Sequence, residues 1–282
     1  MTVESLLVEA KALSAAPQVA CKLNRLIKKS ASTDQMAEVI QFDATLTGRI
    51  LQLCNTPAYR GRSEISSLHE AVTRLGSEAL RRLVWQVSMG SQMSAALPAY
   101  GMEAGDIWRH SMTTAIAAEE LWKLSSFEED MNAAFTAGLL HDLGKVLINA
   151  SLDSLVYEFK DYVQGEGARA HEAEKNLLGF DHGEISGRLL AQWELGEVLI
   201  SAVTHHHHPE ASDKKRFSSL VSLANECAHH QKDKLTRGKT PTPLSAYGPL
   251  MDELKITVMD VEKAMRLVEK RSAEVEVSMA VL

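Results

Sequence analysis

The chain has 282 residues, enough for one large domain or two small ones that bury a core without covalent support. Its 30 basic and 37 acidic side chains give a net charge of −7, which argues against broad electrostatic binding to nucleic acid or anionic membrane. Three separated cysteines and no CxxC pair indicate neither a disulfide framework nor a thiolate zinc site.

The first residues carry acidic side chains where a signal peptide has basic ones, and they lack a continuous apolar region. No apolar run in the chain approaches the length of a membrane span. We therefore expect a cytoplasmic protein without a membrane-bound part.

Residues 1–98 predict an N-terminal lobe of short, capped helices. Ser32, Asp43 and Ser67 each precede apolar residues at helical spacing, which is typical of N-caps. Gly76 is expected to end the helix that follows Ser67, because glycine adopts the left-handed conformation of a helix C-terminus without strain.

Residues 99–235 predict a second helical lobe. A long helix is expected to end near Ser125, and the stretch through GLLHDLGK is apolar on most sides, which predicts a buried helix. Residues 153–178 read as a polar helical stretch, and Asp181 is expected to cap the next helix. Two further helices flank the histidines at 205–208.

Residues 236–282 predict a polar, proline-containing loop and a last helix from about Met259. Since every segment follows the 3.6-residue period and aromatic residues are only 5% of the chain, the predicted fold is all-α. We expect a helical bundle with an N-terminal helical lobe and no sheet beyond a trivial hairpin.

Several side chains able to bind a metal fall on four separate predicted helices of the second lobe. They are His110, the pair His141 and Asp142, His182, and two members of the run 205–208. Imidazoles and carboxylates that converge from different helices can form a metal site inside a bundle. Nitrogen and oxygen ligands without thiolate suit iron, manganese, zinc or nickel, with no choice among them. Asp142 could bridge two ions, and Lys145 could supply a cation for a phosphate oxygen.

The other histidines have a plainer interpretation as hydrogen-bonded or half-exposed side chains. His69 lies in a capping box on an expected surface helix, and His229 and His230 are expected to follow an exposed turn. We interpret His171 in the same way. Two of the four consecutive histidines are expected to be solvated.

The order and spacing of these segments resemble the HD superfamily of metal-dependent phosphohydrolases. The segments are WRHS, GLLHDLGK, FDHGEISG and HHHHPE. Over roughly residues 10–235 the chain resembles one branch more closely, the HDOD domain, through LSAAPQVACKL, FDATLTGRILQLCNTPAYRG and ISSLHEAVTRLGSEALRRLV. The resemblance implies an HD-domain-like bundle as the fold.

Similarity to the two-metal HD-GYP phosphodiesterases implies a set of metal ligands. These are His110, His141, Asp142, His182, His206 and His207, and a final aspartate whose position is occupied here by Asn225. Neutral asparagine is a poor ligand, so the ion on the side of His110 and His141 should be held weakly. The ion on the side of His182, His206 and His207 keeps the full set of ligands that the resemblance implies.

A second departure concerns the segment after the paired histidines. HD-GYP enzymes have a DGxGYP-like segment there that helps to form their cyclic-dinucleotide pocket, and this chain has residues 209–213, PEASD, instead. The two departures favour a regulatory HDOD protein that retains part of a metal site, with one or two divalent ions and little or no turnover. Its partner would be a signalling protein in trans, a nucleotide ligand or a second copy of the chain.

The alternative is an active metal-dependent phosphohydrolase acting on a nucleotide or cyclic dinucleotide. In that reading Asp142 bridges the ions and Lys145 stabilises charge on the phosphoryl group. A di-iron oxygenase is a third hypothesis, which Asn225 disfavours as it does the second. Nucleic-acid binding is the least favoured, since the chain has no basic stripe.

Overall fold

The computed structural model describes residues 2–5, 8, 16–57, 59, 63–125, 131–152, 157, 159–160, 162, 169–236 and 239–281. Within these ranges the regular structure is helical, apart from an isolated antiparallel bridge between Leu97 and Met102. The all-α prediction is confirmed.

Thirteen α-helices have assigned bounds within these ranges. In the first part of the chain they are α1 Ala16–Lys28, α2 Thr33–Gln41, α3 Ala44–Cys54, α4 Leu68–Gly90, α5 Asp106–Leu124, α6 Met131–Leu140 and α7 Leu143–Ser151. They continue as α8 Ala170–Leu178, α9 His182–Gln192, α10 Glu197–Thr204, α11 Lys215–Leu235, α12 Gly248–Leu254 and α13 Val258–Val281.

The predicted caps hold the N-terminal helices. The hydroxyl of Ser32 accepts from the backbone of Gln35 at 3.3 Å, and the carboxylate of Asp43 accepts from the backbone of Leu46 at 2.9 Å. Ser67 caps α4 in the same way. As predicted, the helix that follows Ser67 is interrupted at Gly76, whose φ of 81° lies in the left-handed region that glycine adopts without strain, so α4 consists of two helical segments joined at this kink.

Two predicted segment boundaries are wrong. The single buried helix expected through GLLHDLGK is two helices, and His141 and Asp142 form the turn between α6 and α7. The apolar pattern continues through this turn because both helices are buried, so periodicity does not reveal it. In the C-terminal segment, the expected loop contains a 3-10 turn, Leu244–Tyr247, and the short helix α12. Much of 153–168 lies outside the described residues.

The long helix α5 packs against α6, α11 and α13. Trp108, Ala115 and Leu121 on α5 are fully buried, as are Leu220 and Leu223 on the facing helix α11. None of the helices described is both long enough and apolar enough to cross a membrane.

The three cysteines are buried and separate. Burial raises the pKa of Cys21 and Cys54 to about 11 and that of Cys227 to about 12, so their thiols are protonated and unreactive at neutral pH.

A cluster of five charged side chains joins α4, α5 and α13, and we call it the three-helix ion cluster. Glu119 on α5 accepts from Arg82 on α4 at 3.0 Å and from Arg271 on α13 at 3.1 Å. Arg271 also donates to Glu120 at 2.8 Å, and Lys123 lies 2.9 Å from both carboxylates. Because Glu119 is 5% exposed in its side chain, these ion pairs are poorly screened by water.

Substitution Glu119→Gln is expected to lower the free energy of unfolding at pH 7 by about 3 kcal/mol, because partly buried cations lose their shared anion. Burial raises the pKa of Glu119, but Arg82 and Arg271 outweigh it and hold this pKa below its ordinary value. The carboxylate therefore stabilises the fold at neutral pH and loses that effect as the pH falls through its lowered pKa. Urea unfolding at pH 7 and at pH 4 should show the difference from wild type shrinking in acid.

The matched control is Glu269→Gln. Glu269 lies on α13, as Arg271 does, and its exposed carboxylate forms an ion pair with Lys234 of α11. Exposed ion pairs contribute roughly 0–1 kcal/mol, so this variant should unfold almost as wild type does. Equal losses in the two variants would show that burial of the ion cluster has no special effect.

Candidate metal centre

The carboxylate of Asp142 lies at the meeting point of four histidines. Its oxygens are 3.0 Å from His182 Nε2, 3.4 Å from both His110 Nε2 and His141 Nε2, and 3.9 Å from His206 Nε2. The turn between α6 and α7 makes this possible, since successive residues of one helix would diverge by about 100°. The predicted residues therefore converge from four segments of the chain.

Two groups of ligand-type atoms share this centre. His182, His206 and His207 form one group, and His110, His141 and Asp142 form the other, with the ligand atoms of each group within 4.8 Å of one another. In the first group His182 Nε2 and His207 Nε2 are 2.9 Å apart, and in the second His110 Nε2 and His141 Nε2 are 3.3 Å apart. Imidazole nitrogens this close point at a common position.

Hydrogen bonds on the outer side of the rings fix which nitrogen faces the centre. His141 Nδ1 lies 2.8 Å from Gly138 O, and His206 Nδ1 lies 2.7 Å from Val203 O. His182 Nδ1 lies 2.7 Å from the Glu174 carboxylate. Carbonyl and carboxylate oxygens only accept, so each Nδ1 carries the proton. The Nε2 lone pairs of His141 and His206 consequently face inward, as they do in metal ligands.

Three buried polar atoms in this region have no hydrogen-bond partner among the described residues. They are His206 Nε2 in the first group, Asp142 Oδ1 at the centre, and Asn225 Oδ1 on the wall of an adjoining cavity. Leaving a buried acceptor unpaired costs about 1–3 kcal/mol. A divalent cation would satisfy these lone pairs, so the donor set fits a metal ion of the nitrogen- and oxygen-preferring kind.

The local electrostatics keep most of the imidazoles in the form a metal needs. Burial lowers the pKa of His110, His141, His206 and His207, so these rings are neutral at pH 7. For Asp142 burial acts in the opposite direction, but the neighbouring His141 and Lys145 hold its pKa well below the ordinary value.

His182 differs from the other rings. Burial lowers its pKa, but the carboxylate of Glu174 outweighs burial and, together with Asp142, raises this pKa to about 9. In the metal-free protein His182 is therefore an imidazolium at neutral pH. Its proton must leave before Nε2 can bind a metal.

Lys145 lies one helical turn after Asp142 and is 5% exposed. Its ammonium nitrogen is 2.7 Å from Asp142 Oδ2, on the carboxylate edge that also faces His110. The structure therefore brings Lys145 to the centre, as an ion-pair partner of Asp142.

A cavity of about 550 Å³ opens onto this centre. Lys145, His182, His207, Asn225, Tyr100 and Tyr247 line this cavity, and its wall also carries two bases, Arg169 and Lys239, and two acids, Glu226 and Asp233. A small anionic molecule with an apolar portion could reach the metal position through this opening.

The sequence prediction is wrong for His171 and misses one acid. His171 is 7% exposed and stacks on His207 with ring centroids 3.9 Å apart, so it is not a surface residue. His229 and His230 lie within α11 rather than after a turn, but they are exposed and half-buried as predicted, and the ring of His229 is centred 4.7 Å from that of His110. Glu174, which contacts His182, belongs to the polar stretch that was read only as helix.

The comparisons with known proteins agree with this fold. The model of the HDOD domain family matches residues 13–209. An uncharacterized protein of Treponema pallidum (strain Nichols) is 24% identical over 246 residues, which are 85% of this chain and 47% of that protein. The chain thus spans about half the length of the curated relative it matches.

Two solved structures extend over nearly the whole chain. A protein of Shewanella amazonensis SB2B named a "putative phosphohydrolase" is 23% identical with a TM-score of 0.76, and covers 98% of each chain. An HDOD domain protein of unknown function from Geobacter sulfurreducens is 24% identical with a TM-score of 0.70, covering 94% of this chain and 90% of the other. At these identities the likeness establishes the fold.

Proposed function

The chain belongs to the HDOD domain family, and on that premise we propose that it is a regulatory module that retains part of an HD-type metal site and turns over little or no substrate. The observation that carries the proposal is the inward-facing set of imidazole nitrogens around one carboxylate, with a neutral Asn225 on the wall of the cavity that opens onto it. The signalling role would be exerted on a partner protein in trans or through a nucleotide ligand.

We expect one ion to bind more tightly than a second. His182, His206 and His207 provide three imidazoles, and Asp142 Oδ1 lies 3.0 Å from the first of them, so a four-ligand set is available on that side. Four protein ligands are enough to close a site for a first-row divalent ion. The opposite side has His110, His141 and the shared carboxylate, and no second acid.

Charge balance supports the same conclusion. In the metal-free protein the buried carboxylates of Asp142 and Glu174 are offset by the ammonium of Lys145 and the imidazolium of His182. One divalent ion that displaces the His182 proton adds a single net positive charge, which one anionic ligand neutralises. A second divalent ion would add two more charges to the same buried volume, where uncompensated charge is costly.

The alternative, a metal-dependent phosphohydrolase, is favoured by one observation: the 550 Å³ cavity brings Lys145 and the metal position to the same opening. A bound divalent ion would supply Lewis-acid chemistry toward a phosphoryl group. Lys145 would offset charge on a phosphoryl oxygen, and Tyr100 and Tyr247 would contact the apolar part of the ligand. The buried ion pair of Lys145 with Asp142 must then loosen for the ammonium to reach the ligand.

Substitution Asn225→Asp is the decisive test of this proposal. A second carboxylate should raise the metal content of the purified protein from about one to about two ions per chain, because it supplies the missing charge and ligand. Metal analysis by mass spectrometry and hydrolysis of a generic phosphodiester should be measured together. Asn225→Leu, of similar size, is the control and should leave the first ion in place.

Three outcomes separate the hypotheses. If wild type already hydrolyses a nucleotide or cyclic dinucleotide briskly, the regulatory reading is wrong. If Asn225→Asp gains both metal and hydrolysis, loss of one acidic ligand accounts for low activity. If it binds two ions and stays inert, the segment after His207 is the better explanation, and the cavity serves ligand sensing.

A further inference from the structure

Glu174 is a buried acid with no assigned role, and its contacts all lead toward the metal centre. Its side chain is fully buried, and it lies on α8 opposite the start of α9. Its two oxygens face His182 Nδ1 at 2.7 and 2.9 Å, and one also accepts from the His182 backbone N–H at 2.6 Å. Tyr100 Oη donates to the other oxygen at 2.7 Å.

This arrangement determines how His182 is presented. Because both oxygens of Glu174 only accept, the proton of His182 is kept at Nδ1, and the additional bond to the backbone of the same residue fixes the ring relative to the helix start. Nε2 then faces Asp142 and His207. A carboxylate behind a ligating imidazole also increases its basicity, which strengthens a metal bond.

We infer that Glu174 is a positioning residue for the metal centre, acting through His182, and that Tyr100 orients Glu174 from the cavity wall. The inference rests on the metal binding proposed above. Burying a carboxylate is costly unless it is well paired, and the partners that the described structure gives this one are the ring and backbone of His182 and the Tyr100 hydroxyl. The orientation that Glu174 gives to the His182 ring therefore explains why this carboxylate is buried here.

Tyr100 gives this arrangement a link to the cavity. It ends the 3-10 turn Pro98–Tyr100, its ring packs edge-on to Phe159 at 5.1 Å, and it borders the 550 Å³ opening. A molecule that enters the cavity and displaces Tyr100 would thus disturb the orientation of Glu174. Occupancy of the cavity and metal affinity would then depend on each other.

The test is a cobalt titration of wild type and of Glu174→Gln. Glutamine has the same shape but offers one acceptor and an NH₂ donor in place of two acceptors, so a donor would oppose one of the N–H groups of His182. We expect Co²⁺ affinity to fall roughly 10–100-fold, with altered visible absorption bands because the His182 ligand is lost or turned. Tyr100→Phe should give a smaller loss, of roughly threefold to tenfold, since it removes one of the hydrogen bonds to the Glu174 carboxylate and leaves both of its oxygens on His182.

The control is Glu172→Gln, on the same helix two residues away, where an exposed carboxylate accepts from the Arg169 backbone. This variant should bind Co²⁺ as wild type does. Thermal unfolding of each metal-free protein shows whether the variants fold, and Glu174→Asp, which keeps two acceptors, should bind cobalt better than Glu174→Gln.

The outcomes for the two proposals are distinct. If wild type binds no Co²⁺, the metal-site proposal itself is wrong. If wild type binds Co²⁺ and a folded Glu174→Gln has the same affinity and spectrum, Glu174 does not position His182. If the loss of affinity only parallels a loss of metal-free stability, with an unchanged spectrum, the role of Glu174 is structural and the inference is overturned.

Discussion

Replacing Asp142 by asparagine is expected to remove metal from both sides of the centre. The carboxylate is 1% exposed in its side chain and lies within 3.9 Å of four imidazoles, so it is shared by the two groups of ligand-type atoms. The loss of affinity should exceed the roughly 10–100-fold that changes in outer-shell partners cause. Metal analysis of the purified variant, and loss of the metal-induced rise in unfolding temperature, would measure it.

The single variant also leaves the ammonium of Lys145 buried without its anion, which costs about 3–5 kcal/mol and could prevent folding. The double variant Asp142→Asn/Lys145→Met removes both members of the pair and should fold closer to wild type while remaining metal-free. Full metal content in the folded double variant would show that the imidazoles bind the ion without the carboxylate, and that Asp142 is not its centre.

The second large effect is expected from Gly144→Ala, at the point where the backbones of α7 and α9 meet. A Cβ at position 144 would overlap the carbonyl oxygen of His182 and lie 2.9 Å from its carbonyl carbon and Cα. The Gly144 N–H also donates to Ser186 Oγ at 2.8 Å, and Ser186 donates to the His182 carbonyl at 2.8 Å. Separating α7 from α9 should therefore lower the free energy of unfolding by about 3 kcal/mol or more.

The same separation should move His182 away from Asp142, so metal affinity should fall together with stability. Gly48→Ala is the control: nothing lies within 4 Å of the added Cβ on α3, and alanine favours helix over glycine by about 1 kcal/mol. Urea unfolding of the two variants gives the comparison. A Gly144→Ala protein as stable as wild type would contradict the close approach of α7 to α9.

The N-terminal helices could be predicted well because their signals are local. A capping side chain such as Ser32 or Asp43 and the apolar residues that follow it lie within one or two turns of the chain. The turn at His141 and Asp142 could not be predicted in this way. Both flanking helices are buried on most sides, and His141 and Asp142 are buried as well, so the turn is not marked by the exposed polar residues that usually signal a helix end.

The convergence of these histidines on Asp142 could be predicted because histidine and aspartate in apolar surroundings need a partner, and the resemblance added their order. The contacts on the outer side of the histidine rings could not be predicted. Glu174 stands in a polar helical stretch where an acid is ordinary, and only the packing of α8 against α9 places it on His182. The same holds for His171, which becomes buried because it stacks on a residue 36 positions later.

The helix α6 connects the candidate metal centre to α4. At its start Asn132 accepts from Arg82 of α4 at 3.0 Å, and its other end leads directly into His141 and Asp142. Ten helical residues make a stiff rod of about 15 Å. A partner that binds α4 and displaces α6 would change the geometry of the Asp142 carboxylate and so the affinity for a metal ion. Because coupling between two binding sites is reciprocal, the metal ion would change the affinity for that partner by the same factor.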